Sequence, residues 1–272
     1  MKKINKNIVV FIQARMGSSR LPGKVLKRVN GKPLLLHMIN RVMRAKTINH
    51  VVVITSTKTQ DNAIEDFCIN NNIEVYRGSE LDLLDRHYKA ALIYKADFVI
   101  KIPSDCPLTD PEIIDRVANL WIDNHGKYDY VSNYHPPSFP DGLDVEGCTI
   151  EALSTAWTHA KKDYEREHTF PYIWDQPDKF KIGNLLNPYG DMFMSHRWTL
   201  DYEKDLEFIK KIFDEFKDKE FFSFKDVLNL LNNKPYISEI NHELSGINWY
   251  RHHEKDLNTV ATDLIKRSKD DK

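Results

Sequence analysis

Cysteine is scarce in this 272-residue chain: Cys68, Cys106 and Cys148 are far apart and odd in number. They allow no disulfide framework and no C-x-x-C metal knuckle, which fits a reducing compartment, the cytoplasm. The eleven histidines show no H-E-x-x-H or similar ligand spacing, and His252-His253 reads as solvated surface. Long apolar runs are lacking too. The five residues Ile8 to Ile12, after Met1-Lys2-Lys3, are too few for a signal peptide, and no run reaches membrane length. Neither sign of charge dominates, with 39 cations, 40 anions and a net charge of -1. Bulk electrostatic binding of nucleic acid is thereby excluded, though short-range binding of a small polyanion is not. There is no G-x-G-x-x-G and hence no Rossmann fingerprint. No repeat or low-complexity linker divides the chain.

What is present is a core-forming composition, 41% hydrophobic, arranged as alternating strands and helices. Ile8 to Ile12, Val51 to Ile54, Ile73 to Tyr76 and Phe98 to Ile102 read as buried strands. Helical patterns lie between them, at Pro33 to Met43, Asp61 to Asn70 and Leu81 to Tyr94. Asp110-Pro111-Glu112 opens a further helix, with Asp at the N-cap and Pro in the first turn. This predicts an α/β fold: a mainly parallel central sheet with helices on both faces and ligands at the strands' carboxyl ends. The second half predicts strands at Val145 to Ile150, Phe180 to Leu185 and Ser195 to Leu200. Helices are predicted at Glu151 to Lys161, Arg166 to Trp174, Asp205 to Phe216 and Phe224 to Leu231, before a frayed end from about Arg251. One domain over 1–272 is expected, with an excursion at about 133–190.

The first strand runs into Gln13-Ala14-Arg15-Met16-Gly17-Ser18-Ser19-Arg20-Leu21-Pro22-Gly23-Lys24. Glycines let a backbone turn sharply, its N–H groups can cradle phosphate oxygens, and Arg15, Arg20 and Lys24 supply charge. It is not a Walker A loop: five residues separate Gly17 from Gly23-Lys24 where that motif has four, and Val25 replaces the Ser or Thr. On local chemistry alone, a phosphate cradle and an ordinary basic strand-to-helix loop stay equally open.

Ser104-Asp105-Cys106-Pro107-Leu108 follows the fourth strand directly. A carboxylate locked at a strand's carboxyl end suits magnesium, which takes hard oxygen ligands; a capping aspartate in a turn is the plainer alternative. Asp201, after Arg197-Trp198-Thr199-Leu200, is a second candidate, and Asp205 reads as the cap of the next helix.

Taken in order, Gln13 to Lys24, Arg77-Gly78 with Leu84-Asp85-Arg86, and Ser104 to Leu108 form a recognisable series. It continues with Asp141-Gly142-Leu143-Asp144-Val145-Glu146, Arg166-Glu167-His168 and Arg197 to Asp201. Over about Ile8 to Phe213 the chain resembles spore-coat-polysaccharide-type cytidylyltransferases, relatives of the CMP-Kdo and CMP-sialic acid synthetases. The resemblance implies a nucleotidyltransferase fold with a dimerising excursion, CTP as donor, Mg2+ as metal and an acidic or phosphorylated sugar as acceptor. It places the nucleotide on Gln13, Ala14, Arg15, Gly17, Ser18, Ser19, Arg20 and Lys24, with Arg15, Arg20 and Lys24 holding the triphosphate, and the nucleoside near Arg77, Gly78 and Arg86. Asp105 and Asp201 would hold the metal, and Arg15, Lys24 and Asp105 would carry the chemistry. An acceptor oxygen would attack the α-phosphorus in line and pyrophosphate would leave, with no Ser/His/Asp triad needed.

Asn133, Asp144, Glu146, His168 and Arg197 are the polar candidates for the acceptor, each with a purely structural alternative. Another NTP, a polyol or sugar-phosphate acceptor, or a non-catalytic nucleotide-binding module on the same fold are the rival readings. Lys24, Asp105 and Asp201 are all present, which weighs against the last. Phe139, Trp157, Tyr164, Phe170, Tyr172 and Trp174 predict a homodimer joined through the excursion, with Trp157 or Trp174 near its centre.

Overall fold

In the computed structural model, which describes residues 6–124 and 127–266, the first apolar run is strand β1, Ile8–Gln13. Met1-Lys2-Lys3 lies outside the described residues. Side chains of β1 alternate between two cores: Ile8, Val10 and Ile12 enter one, Val9 and Phe11 the other. That is the two-residue period of a strand buried on both faces. A hairpin of β2 (Arg28–Val29) and β3 (Lys32–Pro33) leads into α1 (Leu34–Val42). Then come β4 (His50–Ser56), α2 (Asn62–Asn70), β5 (Glu74–Gly78), α3 (Leu83–Ile93), β6 (Phe98–Pro103) and α4 (Pro111–Asp123). Asp110 caps α4 as its residue type predicts, its carboxylate accepting from Glu112 N at 2.8 Å.

The second half supplies β7 (Tyr130–Ser132), β8 (Glu146–Thr149), α5 (Ile150–His159), α6 (Asp163–Glu167) and α7 (Pro171–Trp174). It ends with β9 (Ile182–Asn184), α8 (Glu203–Glu215), α9 (Phe224–Asn233) and short 3-10 turns. All the longer strands join one seven-stranded sheet, ordered β5-β4-β1-β6-β8-β7-β9. Only β8 runs against the others. One face carries α1, α2, α4, α8 and α9, and the other α3, α5 and α7. After β1 the chain moves outward through β4 to β5, then returns to the far side of β1 as β6. The order therefore reverses between β1 and β6, and a crevice opens at their carboxyl ends.

Several expectations need correction. The stretch 133–190 does not stand off from the sheet, since β8 continues it directly from β6 and β9 ends it beyond β7. The helix predicted over Arg166 to Trp174 is two short ones. Thr169 adopts φ 75 between them and Pro171, which has no N–H to donate, starts the second. Ser195 to Leu200 forms no strand; Arg197 makes a single bridge to Asp141. The residues from Arg251 to Lys266 are not frayed: Leu257 is buried, and the Asp175 carboxylate accepts from Asn258 N at 2.9 Å and Thr259 N at 2.8 Å.

Most of the aromatic residues expected at a dimer contact have packing partners within the chain. Phe139 is buried against Phe224 of α9, and Tyr164, Phe170 and Trp174 are buried in the core that the short helices share with the C-terminal segment. Trp157 stacks on Tyr88 at 4.7 Å and donates to Asp85 Oδ1 at 2.8 Å. Among the described residues no helix is long and apolar enough to cross a membrane.

Candidate active site

The loop after β1 and the turn after β6 face one another across the switch point, tied by Ser104 N donating to Gln13 O at 3.1 Å. They wall a cavity of about 360 Å³. Gln13, Ala14, Arg15, Ser18, Ser19, Arg20 and Lys24 line it from the first loop, and Ser104 and Asp105 from the second. Asp201 reaches it from the turn before α8, so residues far apart in sequence share one chamber. Lys24 joins them. Its buried ammonium donates to Asp105 Oδ2 at 3.2 Å, Asp201 Oδ1 at 2.9 Å and Leu200 O at 2.7 Å. Burial opposes that charge, but Asp105 and Asp201 outweigh it and raise the lysine's pKa. Burial likewise opposes the charge on Asp201, yet Lys24 and Arg20 bring it down to about 2. Arg20 pairs with Asp201 Oδ1 at 2.9 Å and lies over the Tyr202 ring.

A second wall comes from the Asp141–Glu146 segment. Asp141 and Asp144 both line the cavity. Burial pushes Asp141 up to about 7, aided by Asp201 and Asp105 and opposed by Arg197. Burial raises Asp144 well above the carboxylate range, with Asp141 adding to it. Their turn depends on Gly142, at φ 111, where a Cβ would lie 2.4 Å from Trp198 C and Thr199 N. Glu146 is buried below them. Its carboxylate meets Lys101 Nζ at 2.5 Å and accepts from Tyr130 Oη at 2.7 Å. Burial opposes ionisation of Glu146, but Lys101 and His135 hold it below its usual range.

Thirteen predicted residues line the cavity: seven of the first loop, with Arg86, Asp105, Asp144, Glu146, His168 and Asp201. Five do not. Gly17 lies behind the loop, against Gln60. Arg77 is committed elsewhere, donating to Glu65 Oε2 at 2.6 Å, Ser56 O at 2.9 Å and Lys58 O at 2.9 Å. Its neighbour Gly78 packs on Arg86, where a Cβ would meet the arginine's Cγ at 3.0 Å. Asn133 clamps a loop, donating to Leu143 O at 2.8 Å and accepting from Val145 N at 2.8 Å. Arg197 is a buried scaffold that touches Asp141, Asp201 and Asp205 from behind.

Arg86 is buried, and among the described residues its Nε and Nη1 have no partner. Burial, with Arg15 nearby, lowers its pKa to about 10. The buried Gln13 Oε1 is also unpartnered. Unpaired buried polar groups are costly, and the two residues that carry these line the cavity.

The matches to known proteins agree with this geometry. The family pattern described as Cytidylyltransferase covers residues 9–242. The chain belongs to the cytidylyltransferase family. It is 36% identical over 234 residues to the uncharacterized protein MJ1063 of Methanocaldococcus jannaschii, covering 86% of this chain and 94% of that one. It is 32% identical to the spore coat polysaccharide biosynthesis protein SpsF of Bacillus subtilis, covering 84% of this chain and 95% of SpsF. The solved structure of a cytidylyltransferase from Leptospira borgpetersenii superposes with TM-score 0.81 at 33% identity, covering 86% of this chain and 97% of its own. A CMP:2-keto-3-deoxy-manno-octonic acid synthetase complexed with CTP shares the fold at TM-score 0.60 and 16% identity, covering 77% of this chain and 99% of its own. This cytidylyltransferase is thus a nucleotidyltransferase related to sugar-nucleotide synthetases.

The sequence reading missed several lining residues of this cytidylyltransferase: Lys101, Tyr134, Asp141 and the cluster Ile247 to Trp249 with Arg251 and His252. Lys101 carried a usable signal, since a lysine inside an apolar strand must find a buried partner. The C-terminal cluster carried none, because its contacts to His168 and Trp174 are wholly tertiary.

Proposed function

We propose that the protein transfers a cytidylyl group from CTP to an oxygen of an acidic or phosphorylated sugar, releasing pyrophosphate. The observation that carries this reading is Lys24 held between Asp105 and Asp201 in a chamber rimmed by Arg15 and Arg20. Arg15, Arg20, Lys24 and the backbone of the Gln13–Lys24 loop bind the triphosphate and offset the charge that builds on leaving pyrophosphate. The unpartnered Gln13 Oε1 and Arg86 lie within the same chamber, suited to nucleoside or phosphate atoms. Asp144 and the His168 side occupy the opposite wall, for the acceptor.

The donor set fits Mg2+. Asp105 and Asp201 are two carboxylates, not a closed cage, and no group of three metal-binding side chains occurs among the described residues. Magnesium favours such a pair, completed by phosphate oxygens and water. Burial is the main cause of the upward shifts of Asp141 and Asp144, and neighbouring carboxylates add to it, a contribution that a cation would offset. When bound, the metal would neutralise phosphate oxygens as a Lewis acid.

The test is pyrophosphate release, screened over four NTPs against acidic and phosphorylated sugars. CTP should be preferred, because a pocket that pairs a base edge leaves buried groups unsatisfied with the wrong base. A folded Asp105→Asn variant should lose magnesium-dependent turnover. Near-normal release from it, or equal use of all four NTPs, would overturn the proposal.

A further inference from the structure

A second cavity, of about 560 Å³, shares no lining residue with the catalytic one. His37 and Arg41 of α1, Phe213 of α8 and residues of the loop that follows α8 wall it. Its charge is lopsided. Lys32, Arg41, Arg44, Lys217 and Lys219 line it, against the carboxylate of Glu220. Two of these cations are paired, Arg44 with Glu220 at 2.6 Å and Lys219 with Asp226 at 3.3 Å. Lys32, Arg41 and Lys217 have no ion-pair partner among the described residues. Arg41 is the unusual member. It is 5% exposed, and so buried a charge is costly unless a counter-charge meets it. Its partners are backbone carbonyls instead: Nε donates to Thr109 O at 2.7 Å, and Nη2 to Phe222 O at 2.9 Å and Leu108 O at 3.3 Å. Among the described residues Nη1 makes no hydrogen bond.

The Arg41 Cζ lies 4.4 Å from the ring centre of Phe222 and 5.0 Å from that of Phe221, which softens the charge without cancelling it. Burial lowers its pKa to about 10; Asp110 opposes that and Arg44 adds to it. His37 feels the same field: burial lowers its pKa, the Val29 carbonyl opposes, and Lys32 and Arg41 lower it further. The remaining wall is apolar. Phe213, Phe216, Phe221 and Met43 line it, and Met43 is 63% exposed. An occupant must therefore bring negative charge and apolar surface together. Three unpaired cations exceed what one carboxylate neutralises, but they match a phosphate dianion and its several acceptor oxygens. We propose that this cavity is a second ligand site, binding a phosphate monoester with a planar apolar group through Lys32, Arg41 and Lys217. It stands independently of the cytidylyl transfer.

The test is calorimetric titration of the full-length protein without divalent cations. Phenyl phosphate is the probe; inorganic phosphate and phenol are its separated parts, and benzoate puts a carboxylate on the same ring. Arg15→Gln/Arg20→Gln removes the phosphate affinity of the catalytic loop, and one phenyl phosphate should still bind. Adding Lys32→Gln/Lys217→Gln should weaken that binding about tenfold or more. The melting point should not change, since both lysines are exposed. Arg41 is left intact, because its carbonyl bonds tie α1 to Leu108, Thr109 and Phe222. Phenyl phosphate should bind about tenfold or more tighter than each of the other three compounds. No binding once Arg15 and Arg20 are replaced, or unchanged affinity once the lysines are replaced, would overturn the proposal. So would phosphate, phenol or benzoate binding as tightly as phenyl phosphate.

Discussion

Arg197 grips Asp205 through two parallel hydrogen bonds, Nε to Oδ1 at 2.9 Å and Nη2 to Oδ2 at 3.0 Å. Asp205 in turn accepts from Asp201 N and Tyr202 N at 2.9 Å each, capping α8 from inside its first turn. The pair thus fixes the backbone from which Asp201 projects toward Lys24. A lysine cannot reproduce that fork. Arg197→Lys is expected to lower kcat for pyrophosphate release by about tenfold or more while leaving the acceptor KM little changed. A rise confined to acceptor KM would return Arg197 to the ligand-binding role its sequence motif suggested.

Gly142 holds the turn of Asp141 and Asp144 against the Trp198–Thr199 backbone. Its φ of 111 costs other residues about 1–3 kcal/mol, and Gly142→Ala adds contacts with backbone atoms that cannot step aside. Both stability and activity should fall. Denaturant unfolding and the release assay, run together, check this. A variant matching wild type in both would contradict the close packing.

Glu146→Gln strands Lys101 as a buried, uncompensated charge. The expected loss is about 3–5 kcal/mol of folding stability. Adding Lys101→Met should recover part of it, because the stranded charge is then gone. Chemical denaturation of the two single variants and the double variant measures the coupling. Strict additivity would show that the pair is energetically inert.

His87 is fully buried, its Nδ1 donating to Leu83 O at 2.7 Å, and among the described residues its Nε2 has no partner. Burial, with Arg86 and Lys101 nearby, takes its pKa down to about 3 from an ordinary 6.5. Between those values the unfolded chain binds a proton that the folded chain refuses. His87 therefore favours folding fully above pH 6.5, and this is lost as pH falls toward 3. The slope reaches about 1.4 kcal/mol per pH unit. His87→Leu should flatten the acid limb of a stability-against-pH curve by up to that amount, and an unchanged slope would mean that His87 does not titrate differently on unfolding.

Much of this enzyme was decided locally. Apolar runs such as Ile8 to Ile12 bury both faces whatever surrounds them, so a parallel sheet followed from composition and spacing. The loop from Gln13 to Lys24 showed its chemistry because its cations, serines and glycines lie side by side, and Asp105 did so by ending a strand. Tertiary structure alone decided which charges reach the cavity. Arg77 and Arg197 look like ligands in sequence, but each is consumed by carboxylates that chain folding delivers, Glu65 to one and Asp205 to the other. Asp141 and Lys101 enter the site through pairings with Arg197 and Glu146 that no local pattern encodes. The C-terminal wall is the extreme case, since Trp249 means nothing until His168, 81 positions earlier by their numbers, is brought beneath its ring. Short-range physics writes strands, caps and loops into neighbouring residues; burial and charge pairing act across the folded chain and are settled only there.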